Sequence, residues 1–364
     1  APGDVVTVEG EPGRWIVEQV EWQDMAPRLA LRTVAGGTAS LPGAGDSGQA
    51  LLPPDLVQGP THLALVELAA PDDRLAETPL VFAAATGDTA GWRRAALLRY
   101  HAETETAEPM GATAPRAVLG TALDELADGR PWRIDGRTTV EIQLDNAADS
   151  LIDADDGELA SGANLCALGA ELLQYGKASL LAPGRYRLSR LVRGWRGTEW
   201  AMTGHRTGER FVLLDAARLA TIPTTAGDIG RLLMMRASGA GDLVPAEAEW
   251  PVDGRAVLPP APVHGRIWAE GGDLGVCWIR RSRLGWAWRD LVDAPLGEER
   301  ERYRLTLMAG GTALRAIETD EPRWLYPAAE RAADLIAAGG VPLSIAIRQI
   351  GTFGPSRPLF LPLS

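Results

Sequence analysis

Apolar residues along this chain recur at every second position more often than at helical spacing, in short runs cut by Gly and Pro. The segment TTVEIQL places Val140, Ile142 and Leu144 on one side and Glu141 and Gln143 on the other, the signature of a half-buried strand. DVVTVEG and GRWIVEQVEW predict paired strands followed by a third at PRLALRTV, with Trp15, Val17 and Val20 directed to a core. THLALVEL and TPLVFAAATG continue the series; GWRRAALLRY and PRAVLGTALDEL fit a strand or a helical turn. GAELLQYGKASLLAPGRYRLSRLVRG predicts a hairpin turning at Ala182-Pro183-Gly184, because Pro sets one turn φ and Gly permits the next. From Pro251, HGRIWAE, LGVCWIRRSR, ERYRLTLMAGGTALRAIET and VPLSIAIRQIGTFGPSRPLFL are spaced as in an all-β sandwich of about 100 residues. One helix is predicted, at Ala328–Gly339, and there is no exact repeat or heptad run.

The fold class expected is therefore mainly β and multidomain, built of antiparallel sandwich or barrel modules. A Gly/Pro/Ser-rich stretch from Ala35 to Pro60 predicts a linker or long loop and a domain boundary. The divisions expected are 1–50, 51–250 with a further boundary near 135, and 251–364. The 364 residues exceed one ordinary core. The chain opens APGDVVTVEG, without an initiator Met or a charged-then-apolar leader, and is expected to be part of a longer polypeptide.

Charge narrows the function classes. The net charge of -12 argues against a general nucleic-acid binder. Lys177 is the only lysine, so arginine carries nearly all the positive charge. Cys166 and Cys277 are too few and too far apart for a disulfide framework or a structural zinc site. No apolar run approaches the roughly 20 residues of a membrane span.

Several motifs carry residues of potential chemistry. GDSGQ resembles a protease nucleophile loop, but no His precedes Ser47, as that arrangement needs. His62, His101, His205 and His264 show no metal-ligand spacing and suit surface or turn positions. DADDGE suits a solvated acidic turn; Asp153, Asp155 and Asp156 make a calcium loop only a weak alternative, since the required register and final Glu are missing. Glu171, Glu199, Glu209 and Asp215 could supply the carboxylate pair of a glycoside hydrolase only if they converged on a cleft, and arginines around them offer simpler partners. The stretch from Gly184 to Asp215 carries seven arginines but no GxxxxGK[ST], so it is no P-loop. Tyr186, Leu188 and Val192 alternate with Arg185, Arg187 and Arg193, as in a strand with a polar outer face. Arg190 breaks the alternation and predicts a carboxylate partner or a bulge.

This stretch resembles the C-terminal region of tail-tip, or baseplate hub, proteins of siphophages and of alphaproteobacterial gene transfer agents. The resemblance is carried by Glu171, Gln174, Tyr186, Leu188, Ser189, Leu191, Arg193, Gly194, Gly197, Thr198, Glu199, His205, Gly208, Glu209, Phe211 and Asp215. WIRRSRLGWAWRDLVDAPLGEERERYRLTLMAGG is similar to the terminal fibronectin-type-III-like module of the same proteins, through Trp278, Arg280, Arg281, Arg283, Trp288, Asp290, Pro295, Leu296, Gly297, Glu298 and Tyr303. The opening strands resemble the end of an upstream β hub domain, and residues 51–138 match least.

The resemblance implies a structural virion protein of a phage or gene-transfer-agent tail tip, acting as a fibre or partner attachment module, with a homotrimeric parent hub. It implies no catalytic residue and no cofactor. The expected partners are other tail or baseplate proteins, with no nucleic acid and no membrane span. The alternatives are a carbohydrate-binding module recognising a host-surface glycan and a cell-wall hydrolase fragment. Trp and Arg are common interface anchors. Trp195, Arg196, Trp200, His205, Arg281, Arg283, Trp286 and Trp288 are the expected interface residues, while Trp278 is assigned to a core.

Overall fold

The computed structural model describes residues 1–23, 26–34, 56–70, 74–131, 133–286 and 292–363. Most of the predicted linker, Ser47, Trp288 and Asp290 lie outside the described residues. The chain divides into two compact units, Ala1–Asp55 and Leu56–Ser364.

The first unit is an antiparallel sheet of β1 (Val5–Val6), β2 (Arg14–Gln23) and β3 (Ala26–Val34). Of its expected core residues, Val17 is buried, whereas Trp15 and Val20 are half-buried. A sheet of this size encloses little core by itself.

The second unit begins with β4 (Thr61–Leu68), β5 (Leu80–Gly87), β6 (Ala96–His101) and β7 (Thr106–Ala112). A different module follows: β8 (Leu119–Ala122), β9 (Ile134–Asp135), β10 (Val140–Leu144), α1 (Asp156–Ala160), β11 (Leu165–Leu168), β12 (Glu171–Ala182), β13 (Arg185–Val192) and β14 (Arg210–Leu213). The chain then supplies β15 (Leu219–Ile222), β16 (Leu232–Ser238) and β17 (Ala246–Pro251). These last three complete the first four. The sheets are β15-β5-β4 and β17-β16-β6-β7, and Leu63, Val81, Leu97, Ile222 and Met235 share the core between them. A three-plus-four-stranded sandwich is thus interrupted after β7 by an inserted module.

The insert is a closed antiparallel barrel, ordered β10-β8-β14-β11-β12-β13, with β13 pairing back to β10. Closure leaves no free edge among these six strands. Val140, Ile142, Leu144, Leu173, Tyr175, Leu188 and Phe211 fill it. The opposite faces of β4 and β5 present Ala64, Val66 and Ala84 to Leu119, Ala167, Leu172 and Val212 of the barrel. Strands buried on both faces read as nearly continuous apolar runs, which explains THLALVEL and FAAAT. GWRRAALLRY and PRAVLGTALDEL both supply strands, β6 and β8. Residue 135 lies in β9, within the insert.

The remaining strands are β18 (Val263–Glu270), β19 (Asp273–Ile279), β20 (Tyr303–Ala309), β21 (Thr312–Thr319), β22 (Arg323–Tyr326), β23 (Leu343–Gly351), β24 (Gly354–Pro355) and β25 (Leu359–Pro362); α2 (Ala328–Ala337) joins β22 to β23. They form sheets β18-β19-β22 and β21-β20-β23-β25, the fibronectin-type-III-like sandwich expected here. Trp278 is 3% exposed and meets Tyr303 edge-to-face, with ring centroids 5.0 Å apart at 74°. The predicted helix is present; Asp334 on it accepts from Tyr326 Oη at 2.7 Å and from Arg315. This sandwich repeats the strand order of the interrupted one.

Candidate functional site

The motif residues of the Gly184–Asp215 stretch converge at one end of the barrel. Glu171, at the start of β12, and Arg193, just after β13, have fully buried side chains, so Arg193 is not on the polar outer face where the alternation put it. Arg193 donates to both Glu171 oxygens at 2.8 to 3.0 Å and to the carbonyls of Ala127 at 2.9 Å and Met202 at 3.2 Å. His205 lies between two carboxylates, with Nε2 2.7 Å from Glu171 and Nδ1 2.5 Å from Glu209. Burial pushes the Glu171 carboxyl up, but hydrogen bonds from His205 and Arg193 outweigh it and hold the group below its usual range. Burial likewise disfavours the imidazolium of His205, and its bonds to Glu171 and Glu209 reverse the balance, raising its pKa.

Above this cluster the chain makes a tight loop. Gly194 and Gly197 have φ of 65° and 90°, and a Cβ at Gly194 would meet Glu199 Cγ at 2.8 Å. Arg196 also adopts a left-handed conformation (φ 48°), which costs an L-residue roughly 1–2 kcal/mol. Thr198 ties the loop down, accepting from Leu172 N at 3.1 Å and donating to Trp195 O at 2.9 Å.

The loop's side chains reach both sandwiches. Trp195 packs against the apolar seam between the first sandwich and the barrel. The Arg196 guanidinium lies 4.6 Å from the Trp195 ring and 5.8 Å from that of Trp286, and donates to Ala70 O. Glu199 receives a forked bond from Arg281 at 2.9 and 3.1 Å, and Arg281 lies 5.4 Å from the Trp286 ring. Trp200 carries Arg357 at 3.5 Å on its ring and Arg255 at 5.4 Å. Arg255 anchors the link between the sandwiches: its backbone N–H donates to the buried Glu67 at 2.8 Å and its side chain to Ala170 O at 3.0 Å.

Most expected interface residues therefore meet around one joint within the chain. Arg283 is buried against Glu298 at 2.7 Å, and Trp286 Nε1 donates to Arg283 O at 2.9 Å. His205 is buried inside the barrel end, where its sequence setting suggested a surface or turn position. Trp200 is 39% exposed and borders a groove of about 1110 Å³, also lined by Pro131, Val263, His264, Trp286 and Phe360.

The acidic loop disperses its carboxylates. Asp153 binds Lys177 and Ala178 N, Asp155 caps α1 through Glu158 N at 2.9 Å, and Asp156 pairs with Arg190. No cluster of metal-ligating side chains occurs among the described residues. Arg190, with φ 56°, has the predicted carboxylate partner.

Residues 117–212 match the Rcc01698-like, C-terminal family. This is a family of structural proteins associated with phage tail tips and gene-transfer-agent baseplate hubs. The Rcc01698-like segment runs from just before β8 into β14, and so coincides with the inserted barrel. It takes in Glu171, Arg193 and His205, but ends before Asp215. Among solved structures, the rat CD45 extracellular region, domains d3–d4, is 10% identical over 32% of this chain and 55% of that chain, with a TM-score of 0.21. A two-domain fibronectin type III segment of chicken tenascin is 12% identical over 67% of this chain and 99% of that one, with a TM-score of 0.20. At such scores neither likeness bears on the fold, which rests on the strand pairing itself. No curated protein matches the chain.

Proposed function

We propose that this chain is a structural attachment module of a phage tail tip or gene-transfer-agent baseplate hub, holding fibres or other tail proteins. The observation that carries this is the coincidence of the Rcc01698-like match with a complete inserted barrel whose charged motif residues are internal ties. A hydrolase needs acids open to a substrate cleft. Instead, Glu171 is enclosed by Arg193 and His205, Glu199 is held by Arg281, and Asp215 caps the following turn and pairs with Arg218. A glycan platform needs open indole faces, whereas guanidinium groups lie over Trp200 and Trp286.

The proposed docking face is the groove beside Trp200 and Phe360, its occupant a neighbouring tail protein. Leu363 N donates to Leu343 O, so the alternate N–H positions of β25 point outward. Pro362 and, just before β25, Pro358 stand at outward positions, which blunts strand addition and favours a side-chain contact. The parent protein is proposed to be a homotrimer placed at the particle's tail tip.

The test is binding of the purified chain to the fibre-like and neighbouring tail proteins of the same particle, with bacterial envelopes in parallel. Phe360 is 60% exposed, so Phe360→Ala is expected to leave folding intact. It should weaken tail-protein binding about thirtyfold, the effect of a hot-spot residue worth about 2 kcal/mol. Binding to envelopes alone, competed by soluble polysaccharide, would replace this function with glycan recognition.

A further inference from the structure

Residues 193–205 leave the barrel wall and return to it, and one carboxylate holds both ends. At the start, Glu171 accepts from the Arg193 guanidinium and from Gly194 N at 2.8 Å. At the end, it meets His205 Nε2 at 2.7 Å. Arg193 adds a tie to Met202 O. Between these anchors the loop carries Arg196 and Glu199, which meet Trp286 and Arg281 of the C-terminal sandwich.

Both ring nitrogens of His205 face carboxylate oxygens. A neutral imidazole has one N–H and can donate only one of these bonds; the imidazolium donates both. The charged groups around His205 are Glu171 from β12, Glu209 ahead of β14 and Arg193 after β13, with Asp135 of β9 acting on Arg193. Cys166 of β11 stands near Glu171, and burial pushes its thiol pKa far up, keeping it neutral.

We propose that His205 is a proton-operated tie between the barrel and the C-terminal sandwich. The imidazolium holds the 193–205 loop in the shape that engages Arg281 and Trp286, and loss of its proton releases the loop and loosens that joint. The direction follows from linkage. A raised folded-state pKa stabilises fully below the ordinary histidine value of about 6.5, and that stability is lost as pH rises through the raised value. Glu171, held low, adds stability above its ordinary value that is lost in acid as pH falls through its lowered one. The tie therefore holds between the lowered Glu171 value and the raised His205 value, and opens as pH rises through the latter.

Hydrogen exchange of the whole chain across a pH series, corrected for intrinsic rates, tests this. Peptides from 193–205 and 281–286 are expected to lose protection together as pH rises, while β20 does not. His205→Gln, which cannot become a cation, should exchange about tenfold faster in both peptides on the acid side of the wild-type step, with no further alkaline step. Should that variant fold poorly, the wild-type titration decides alone. Loosening of 193–205 with 281–286 unchanged, or the same alkaline step in wild type and His205→Gln, would overturn the proposal.

Discussion

Replacing Arg193 with Ala should destabilise the barrel by about 3–5 kcal/mol, the usual consequence of deleting one partner of a buried ion pair. The substitution leaves the Glu171 carboxylate inside the protein without its forked donor. It also strips donors from Ala127 O and Met202 O. Arg193→Lys should recover only part of the loss, because an ammonium lacks the planar fork that spans both Glu171 oxygens. Urea unfolding followed in barrel peptides measures the effect. A cost under about 1 kcal/mol, typical of an exposed pair, would contradict the buried assignment.

The second large effect is expected in the other β module. Trp278 fills the space between the sheets of the C-terminal sandwich, against Tyr303, Leu305 and Ile347. Trp278→Ala should cost about 3–5 kcal/mol there, combining lost burial with a large cavity. Because the barrel has a separate core, exchange protection in β10 and β12 should persist while that in β19 and β20 falls. Equal loss in both modules would show that they unfold as one.

Local structure was legible where local chemistry decides it. Val140, Ile142 and Leu144 alternate cleanly, Pro183-Gly184 marks the hairpin, and the apolar pattern of 328–339 marks α2. The short helix α1 was missed although its signal was present: Asp155 and Glu158 form a capping box within a stretch that looks simply acidic. The inserted barrel was hidden because β5 pairs with β15 across it, Ala83 opposite Ala220, and nothing local specifies so distant a partner. The two sandwiches share strand order but not sequence, since their cores are filled differently, by Ala83 and Leu97 in one and by Trp278 and Tyr303 in the other.

The site was harder to read for a geometric reason. Along β13 and one residue past it, Tyr186 and Leu188 point inward at even positions, but Leu191 and Arg193 point inward at odd ones. The change occurs around Arg190, whose left-handed backbone interrupts the pleat opposite Gly176. Seven arginines in one stretch look alike by composition, and this local turn decides that Arg193 is the one placed inside. The resemblance included Glu171, Arg193, His205 and Glu209 individually; their common cluster emerges only when the barrel end closes.

The most direct measurement is electron microscopy of intact particles labelled with gold-tagged antibody fragments against this chain. The account predicts label confined to the tail tip, at the point where fibres join. Particles without label, with the chain recovered only in the soluble fraction, would contradict an attachment role.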